Sequence, residues 1–253
     1  NLAIQFRKMG KKVVILDADF GLANIEIMFG AVPKHNLSDL IYQGKNIKDI
    51  ITWGPMEVGF ISGGSGITGL SNLSKDYLTY IVHNLAELDT IADVIIVDTG
   101  AGISDAVLEF LVASGEILLV TTPEPTSITD SYSLLKALNG HPGLERDNTQ
   151  ICMIANRVST ANEGEVLFQK LDVVVSRYLK LPITYLGAVP QDPLLAKAVM
   201  QQLPVSLQNP QARSAQAYEE IAAKLMKQDE GQNTQKRGGA AFFSHIIGKR
   251  NNG

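Results

Sequence analysis

The chain has 253 residues, a formal charge of −4, 45% apolar residues and one cysteine. That length fits one large α/β domain or two small ones with a sizeable core, and the acidic balance argues against a nucleic-acid surface spread over the domain. No apolar run reaches the roughly 18 to 20 residues of a membrane span, and Cys152 alone cannot build a disulfide framework within the chain.

Residues 1–10 carry apolar side chains at helical spacing (Leu2, Ala3, Phe6) and stop at Gly10. They read as the second half of a helix. Residue 1 is Asn and nothing resembles a signal peptide, so the expectation is a piece cut upstream. Residues 13–16 (Val-Val-Ile-Leu) are the apolar run of a strand buried on both faces of a parallel sheet. The run ends in Asp17-Ala18-Asp19-Phe20-Gly21. Ligands of parallel sheets sit beyond the carboxyl ends of the strands, which directs both aspartates toward a site. The simpler alternative is that one of them caps the following helix.

That helix spans 21–30, with Leu22, Ile25, Met28 and Phe29 as its apolar face. Short helices follow at 37–42 and 46–51, a strand at 58–61, and a longer helix at 74–88 with Leu78, Ile81, Val82 and Leu85 on one side. Residues 63–69 are glycine-rich but lack lysine, and they read as a loop without a phosphate role.

The strand-end pattern then recurs. Val94-Ile95-Ile96-Val97-Asp98-Thr99-Gly100-Ala101-Gly102 is an apolar strand closing on an aspartate and small residues that let backbone approach a ligand. Two such carboxylates on neighbouring strands suit a magnesium nucleotide, because magnesium keeps waters that acidic groups must hold.

Residues 105–114 form a helix capped by Ser104 or Asp105, and 117–120 the next strand. Thr121-Thr122-Pro123-Glu124-Pro125-Thr126-Ser127 is expected to be an extended loop before a helix at 128–138. A polar loop at 141–150 leads to a strand at 151–155 that contains Cys152, a buried inert thiol, and ends in Asn156-Arg157. Then come a helix at 163–179, a strand at 184–188 leading into Val189-Pro190-Gln191-Asp192-Pro193, and helices at 194–202 and 211–227. The alternation implies right-handed βαβ units in one doubly wound, mostly parallel sheet with helices on both faces. Residues 228–239 lack apolar side chains and read as a flexible linker. On a helix over 240–250, Phe242, Phe243, Ile246 and Ile247 share one face, and Lys249 and Arg250 are suited to anionic lipid. A disordered, slightly sticky end is the alternative. The four histidines lack metal-ligand spacing, so no zinc site is expected.

The stretch Asp17-Ala18-Asp19-Phe20-Gly21-Leu22-Ala23-Asn24 resembles the first switch of the MinD/ParA group of deviant Walker A ATPases, and residues 94–102 resemble its Walker B strand and second switch. Within that group, residues 61–70 and 121–130 are similar to the FlhG (FleN, YlxH) branch, which sets flagellar number and placement. The resemblance covers nearly the whole chain. It implies a MinD-like P-loop NTPase domain over 1–227 that binds ATP and Mg2+, hydrolyses ATP, and forms an ATP-dependent homodimer. It also implies a cytoplasmic protein bound reversibly to the inner face of the cell membrane through 240–250. Implied partners are an FlhF-type GTPase, flagellar switch-complex proteins and a flagellar transcription activator, with no direct nucleic-acid binding.

The resemblance assigns roles position by position. Asp19 orients the attacking water, Asp17 and Asp98 hold magnesium through its waters, and Gly102 lies where switch backbone nears the γ-phosphate. Asn156 reads adenine, while Arg157, Pro190 and Asp192 wall the base pocket. A turn residue is the alternative for Asn156 and a helix cap that for Asp192. The group's K-G-G-x-G-K-[ST] motif precedes its first switch by one helix, and this sequence starts inside that helix. The chain as given is therefore expected to lack the first strand and P-loop and to be inactive alone. Rival readings are a MinD-type division-site ATPase, a ParA-type segregation ATPase disfavoured by the acidic balance, and a non-hydrolysing scaffold. An iron–sulfur reductase of the same fold would need two cysteines per subunit.

Overall fold

The computed structural model describes residues 1–20, 22–64, 77, 80, 81, 84 and 86–231, with backbone alone for 86 and 228–231. The expected linker and tail at 232–250 and the glycine-rich residues 65–70 lie outside the described residues. So does most of the expected helix at 74–88, of which Tyr77, Tyr80, Ile81 and Asn84 are helical.

Helix α1 (Leu2–Lys8) leads into β1 (Val13–Ala18), followed by α2 (Ile25–Met28), α3 (Leu37–Gln43), β2 (Thr52–Trp53), β3 (Gly59–Ile61) and β4 (Val94–Thr99). The second half runs α4 (Asp105–Ala113), β5 (Glu116–Thr121), α5 (Pro125–Gly140), β6 (Gln150–Val158), α6 (Ala161–Tyr178), β7 (Thr184–Pro190), α7 (Pro193–Met200), α8 (Val205–Gln208) and α9 (Arg213–Gly231).

The architecture is α/β with mostly parallel strands between helices, as expected. The single sheet is not: the strands form two sheets, ordered β2-β3-β1-β4 and β5-β6-β7. Among the described residues β4 pairs with β1 and β5 with β6, and the break in the ladder falls between these consecutive strands. One helical layer nonetheless spans both sheets. Val13, Ile15 and Ile96 of the first and Leu118, Cys152, Ile154 and Leu186 of the second share an apolar cluster with Ile4 and Phe6 of α1 and Ile221 and Leu225 of α9. Burial of that shared cluster, at about 25 cal/mol per Å² of apolar surface, holds the two ladders together without hydrogen bonds between them.

Local chemistry explains where the elements begin. Asn36 and Asp39 form a capping box at α3, Ser104 caps α4 and Thr160 caps α6. Helix α5 starts at Pro125, three residues before the predicted start. Proline has no amide hydrogen to lose at a first helical position, so it opens this helix instead of extending the loop. Strand β6 runs on through Asn156 and Arg157 to Val158, with a register shift between Asn156 and Val158 and Arg157 at φ 57°. Helix α6 lies close on the second sheet because residue 164 is glycine: a Cβ there would stand 2.5 Å from the Tyr185 hydroxyl and 2.9 Å from the Ala188 Cβ. Helix α9 continues to Gly231, four residues beyond the boundary expected at 227.

Helix α2 departs most from its prediction. It is a single turn in which Ile25 is buried while Ile27 and Met28 are exposed, and Leu22 before it is 75% exposed. The helix expected at 21–30 is confined to Ile25–Met28, with a turn at 29–30, so its apolar positions do not line up on one buried face.

Candidate functional site

Strands β1 and β4 pair in parallel, with Asp17 opposite Asp98 and Ala18 opposite Thr99. Neighbouring strands lie about 4.8 Å apart, so this register alone brings two carboxylates to one end of the sheet. The Asp17 carboxylate is buried, 1% exposed. Its Oδ1 accepts from the Asp19 amide at 3.2 Å, and its Oδ2 accepts from the amides of Asn24 at 2.8 Å and Ile25 at 3.1 Å. Asp17 therefore anchors the turn after β1, and α2 begins on it. The capping alternative thus holds for Asp17 in its geometry, whatever else the residue does.

Two glycines make room for this arrangement. A Cβ on Gly100 would fall 3.1 Å from Cγ and Oδ1 of Asp19, and one on Gly63 would fall 2.7 Å from the Asp17 carbonyl oxygen. Asp19 thus lies against the backbone that follows β4. Gly102, at φ 107°, has open space where its side chain would be.

The three carboxylates feel one another. Burial raises the Asp98 carboxyl above the ordinary range, and Asp17 and then Asp19 push it further. Burial likewise raises Asp17, against the pull of its three amide partners. A concentration of negative charge of this kind favours a cation. Asp17 is already surrounded by amide donors, whereas Asp98 and Asp19 are partly desolvated but still reached by solvent. No cluster of three His, Cys, Asp or Glu ligands close enough for direct ligation occurs among the described residues. Carboxylates placed in this way would reach a magnesium ion through its waters.

The remaining candidates cluster at the carboxyl ends of β6 and β7. Asn156 pairs in register with Val189, and Val158 with Pro190. The positive φ of Arg157 accompanies an ion pair with Glu124, at 3.7 Å between Nη1 and Oε1. The Asp192 side chain caps α7 through the Leu194 amide at 2.9 Å and receives the Ser214 amide and hydroxyl at 3.0 and 2.9 Å. Burial opposes ionisation of Asp192, yet those donors overcome it and hold its carboxyl below the usual range. Beside Asp98 lies a mainly apolar cavity of about 250 Å³, lined among others by Ile15, Ile96, Leu195, Val199 and Tyr218. It joins the Asp98 end of the first sheet to the helix that Asp192 caps.

Sequence reasoning missed Ser62, Glu26, Glu124 and Ser214. Each acts on a candidate residue or its helix through a contact distant in sequence; Ser62 and Glu124 lie in the 61–70 and 121–130 stretches, but spacing along the chain does not reveal those contacts.

Comparison with known proteins gives the family. The family model described as ParA, NUBPL iron-transfer P-loop NTPase, matches residues 1–226. The chain belongs to the ParA family. Within the MinD/ParA group it falls in the FlhG branch. It is 36% identical to the antiactivator FleN of Pseudomonas aeruginosa over 225 residues, 89% of this chain and 79% of that protein. It is 31% identical to the flagellum site-determining protein YlxH of Helicobacter pylori, covering 98% of this chain and 83% of that one. The fold matches the septum site-determining protein MinD complexed with Mg-ADP from Pyrococcus horikoshii, with a TM-score of 0.73, 21% identity, and 92% and 91% of the two chains covered. Membership of this ParA-family branch places the protein among the P-loop NTPases. No helix among the described residues is long and apolar enough to cross a membrane.

Proposed function

We propose that the protein is an ATPase of the FlhG type that regulates flagellar number and placement, switching between a monomer and a membrane-bound dimer as it binds and hydrolyses ATP. The observation that carries this reading is the convergence of Asp17, Asp19 and Asp98 at one sheet end, with Gly100 and Gly63 shaped to admit them. A bound magnesium ion would supply charge neutralisation on the phosphates and an ordered set of waters. Asp98 and Asp17 hold that ion through its waters. Asp19 orients the attacking water, and the backbone at Gly102 lies near the γ-phosphate. Asn156 reads the adenine edge beside Arg157, Pro190 and Asp192. The 253 residues contain no G-K-[ST] run, so they contribute the magnesium and base sides of the site and not the phosphate-binding lysine.

Residues 240–250 attach the dimer to anionic lipid on the inner face of the membrane. Two tails presented together multiply a weak individual affinity, so nucleotide state sets location. The partners are an FlhF-type GTPase, flagellar switch-complex proteins and a flagellar transcription activator. A role in flagella is favoured over one in division because identity to FleN is 36%, against 27% to the MinD of Buchnera aphidicola. Deleting the gene and counting flagella tests this. Altered flagellar number or position, restored by the wild-type gene and not by D19A, is the expected result. Normal flagellation accompanied by minicells would replace the reading with the MinD-type one.

A further inference from the structure

Helix α2 carries the two amides that hold Asp17, yet little holds α2. It is four residues long, far below the length at which a helix is stable by itself, and Ile25 is its one buried side chain. Its carboxyl end is fixed by Phe29, whose ring meets Phe60 at 5.6 Å. Its amino end has a different anchor. The Ser62 hydroxyl, just after β3, donates to the Glu26 carboxylate and accepts from the Gly64 amide at 3.2 Å. Ser62 is 2% exposed, and its carbonyl accepts the Leu37 amide at 3.0 Å, so it is fixed on the α3 side as well. The next residue, Gly63, is pressed against the Asp17 carbonyl.

Glu26 adjoins Ile25, whose amide binds Asp17. We propose that Ser62 and Glu26 are positioning residues, whose hydrogen bond seats α2 so that the Asn24 and Ile25 amides hold the Asp17 carboxylate and, through it, the Asp19 backbone. A hydrogen bond to a carboxylate is stronger than one between neutral groups, and the Ser62 end of this one is buried, so the contact helps to seat a single helical turn. The inference rests on the reading of Asp17 and Asp19 given under the proposed function, but its first test does not depend on turnover.

The test uses protein expressed from its complete reading frame, as wild type, S62A, S62T and E26Q. Amide hydrogen exchange at Asn24 and Ile25 is compared with that of Met153 in the core of β6. S62A is expected to speed exchange at Asn24 and Ile25 about tenfold or more while leaving Met153 unchanged. S62T, which keeps the hydroxyl, should stay within about twofold of wild type, and E26Q, which keeps a neutral acceptor, should fall between. Steady-state kinetics with Mg-ATP should show S62A losing about tenfold in kcat with KM within about twofold, and S62T restoring it. Unchanged exchange at both amides in S62A and E26Q, or equal loss in S62T and S62A, overturns the inference. A wild-type protein without hydrolysis would instead count against the ATPase reading, and the exchange result would stand by itself.

Discussion

Asp17 and Asp98 are register partners on adjacent parallel strands, but they meet opposite surroundings: Asp17 is enclosed by three backbone amides, and Asp98 stands at the rim of a cavity. Asp17 builds the turn in addition to any ligand it meets, and Asp98 lines the cavity. Burial raises the Asp98 carboxyl, and its register partner Asp17 and then Asp19 add to the rise.

This gives a pH prediction with a definite sign. Both carboxyls titrate above their ordinary range in the folded state, so the folded state holds protons more tightly than the unfolded one. Their contribution to stability is full below the ordinary carboxylate pKa and is lost as pH rises through the raised values. Asp98→Asn is therefore expected to raise the thermal midpoint at pH 7, and the gain over wild type should shrink as pH falls toward 4. Differential scanning fluorimetry across that range checks it.

Gly100→Ala places a methyl group 3.1 Å from the Asp19 carboxylate. Displacing a catalytic side chain by a fraction of an ångström lowers turnover by about tenfold or more, with little effect on stability. Gly164→Ala meets Tyr185 and Ala188 in the core packing of α6 instead. It should destabilise the fold by about 1–3 kcal/mol. Urea unfolding and hydrolysis assays on both variants separate the two effects.

Asp192→Ala removes a helix cap and strands the buried amide and hydroxyl of Ser214. The expected loss is about 2–3 kcal/mol by urea unfolding, with Asp192→Asn losing less because it keeps an acceptor. The Asp192 carboxyl is held low, so this stabilisation is present above the ordinary carboxylate pKa and disappears as pH falls through the depressed value.

Burial pushes the Cys152 thiol up to about 12, with Glu116 adding to the shift. Native protein should resist iodoacetamide at pH 8 and react promptly once unfolded in guanidinium, since the thiolate is the nucleophile. Mass spectrometry of the alkylated protein reads the result.

Much of this molecule was legible in its residues because its signals are local. Apolar runs closing on Asp17 and Asp98, and caps such as Ser104 and Asn36, depend on spacing along the chain. Features set by distant contacts were hidden. The break between β4 and β5 depends on which edges find partners, which periodicity does not encode. Asn156 and Arg157 read as a strand end but lie within β6, because the bulge lets the ladder resume at Val158. Leu22 and Met28 looked like core yet face solvent, since α2 is held by Asp17 and Ser62 more than by an apolar face.

The tail gives a separate prediction. Protein from the complete reading frame should sediment with phosphatidylglycerol-containing vesicles in the presence of ATP, and deletion of residues 240–250 should abolish this. Binding should weaken as salt rises, because Lys249 and Arg250 meet anionic headgroups.

The role of Asp19 is tested by magnesium-dependent ATP hydrolysis of wild type against D19A, with nucleotide affinity measured in parallel. Turnover should fall about 100-fold or more while nucleotide affinity stays within a few-fold of wild type. Turnover by D19A at the wild-type rate would contradict it.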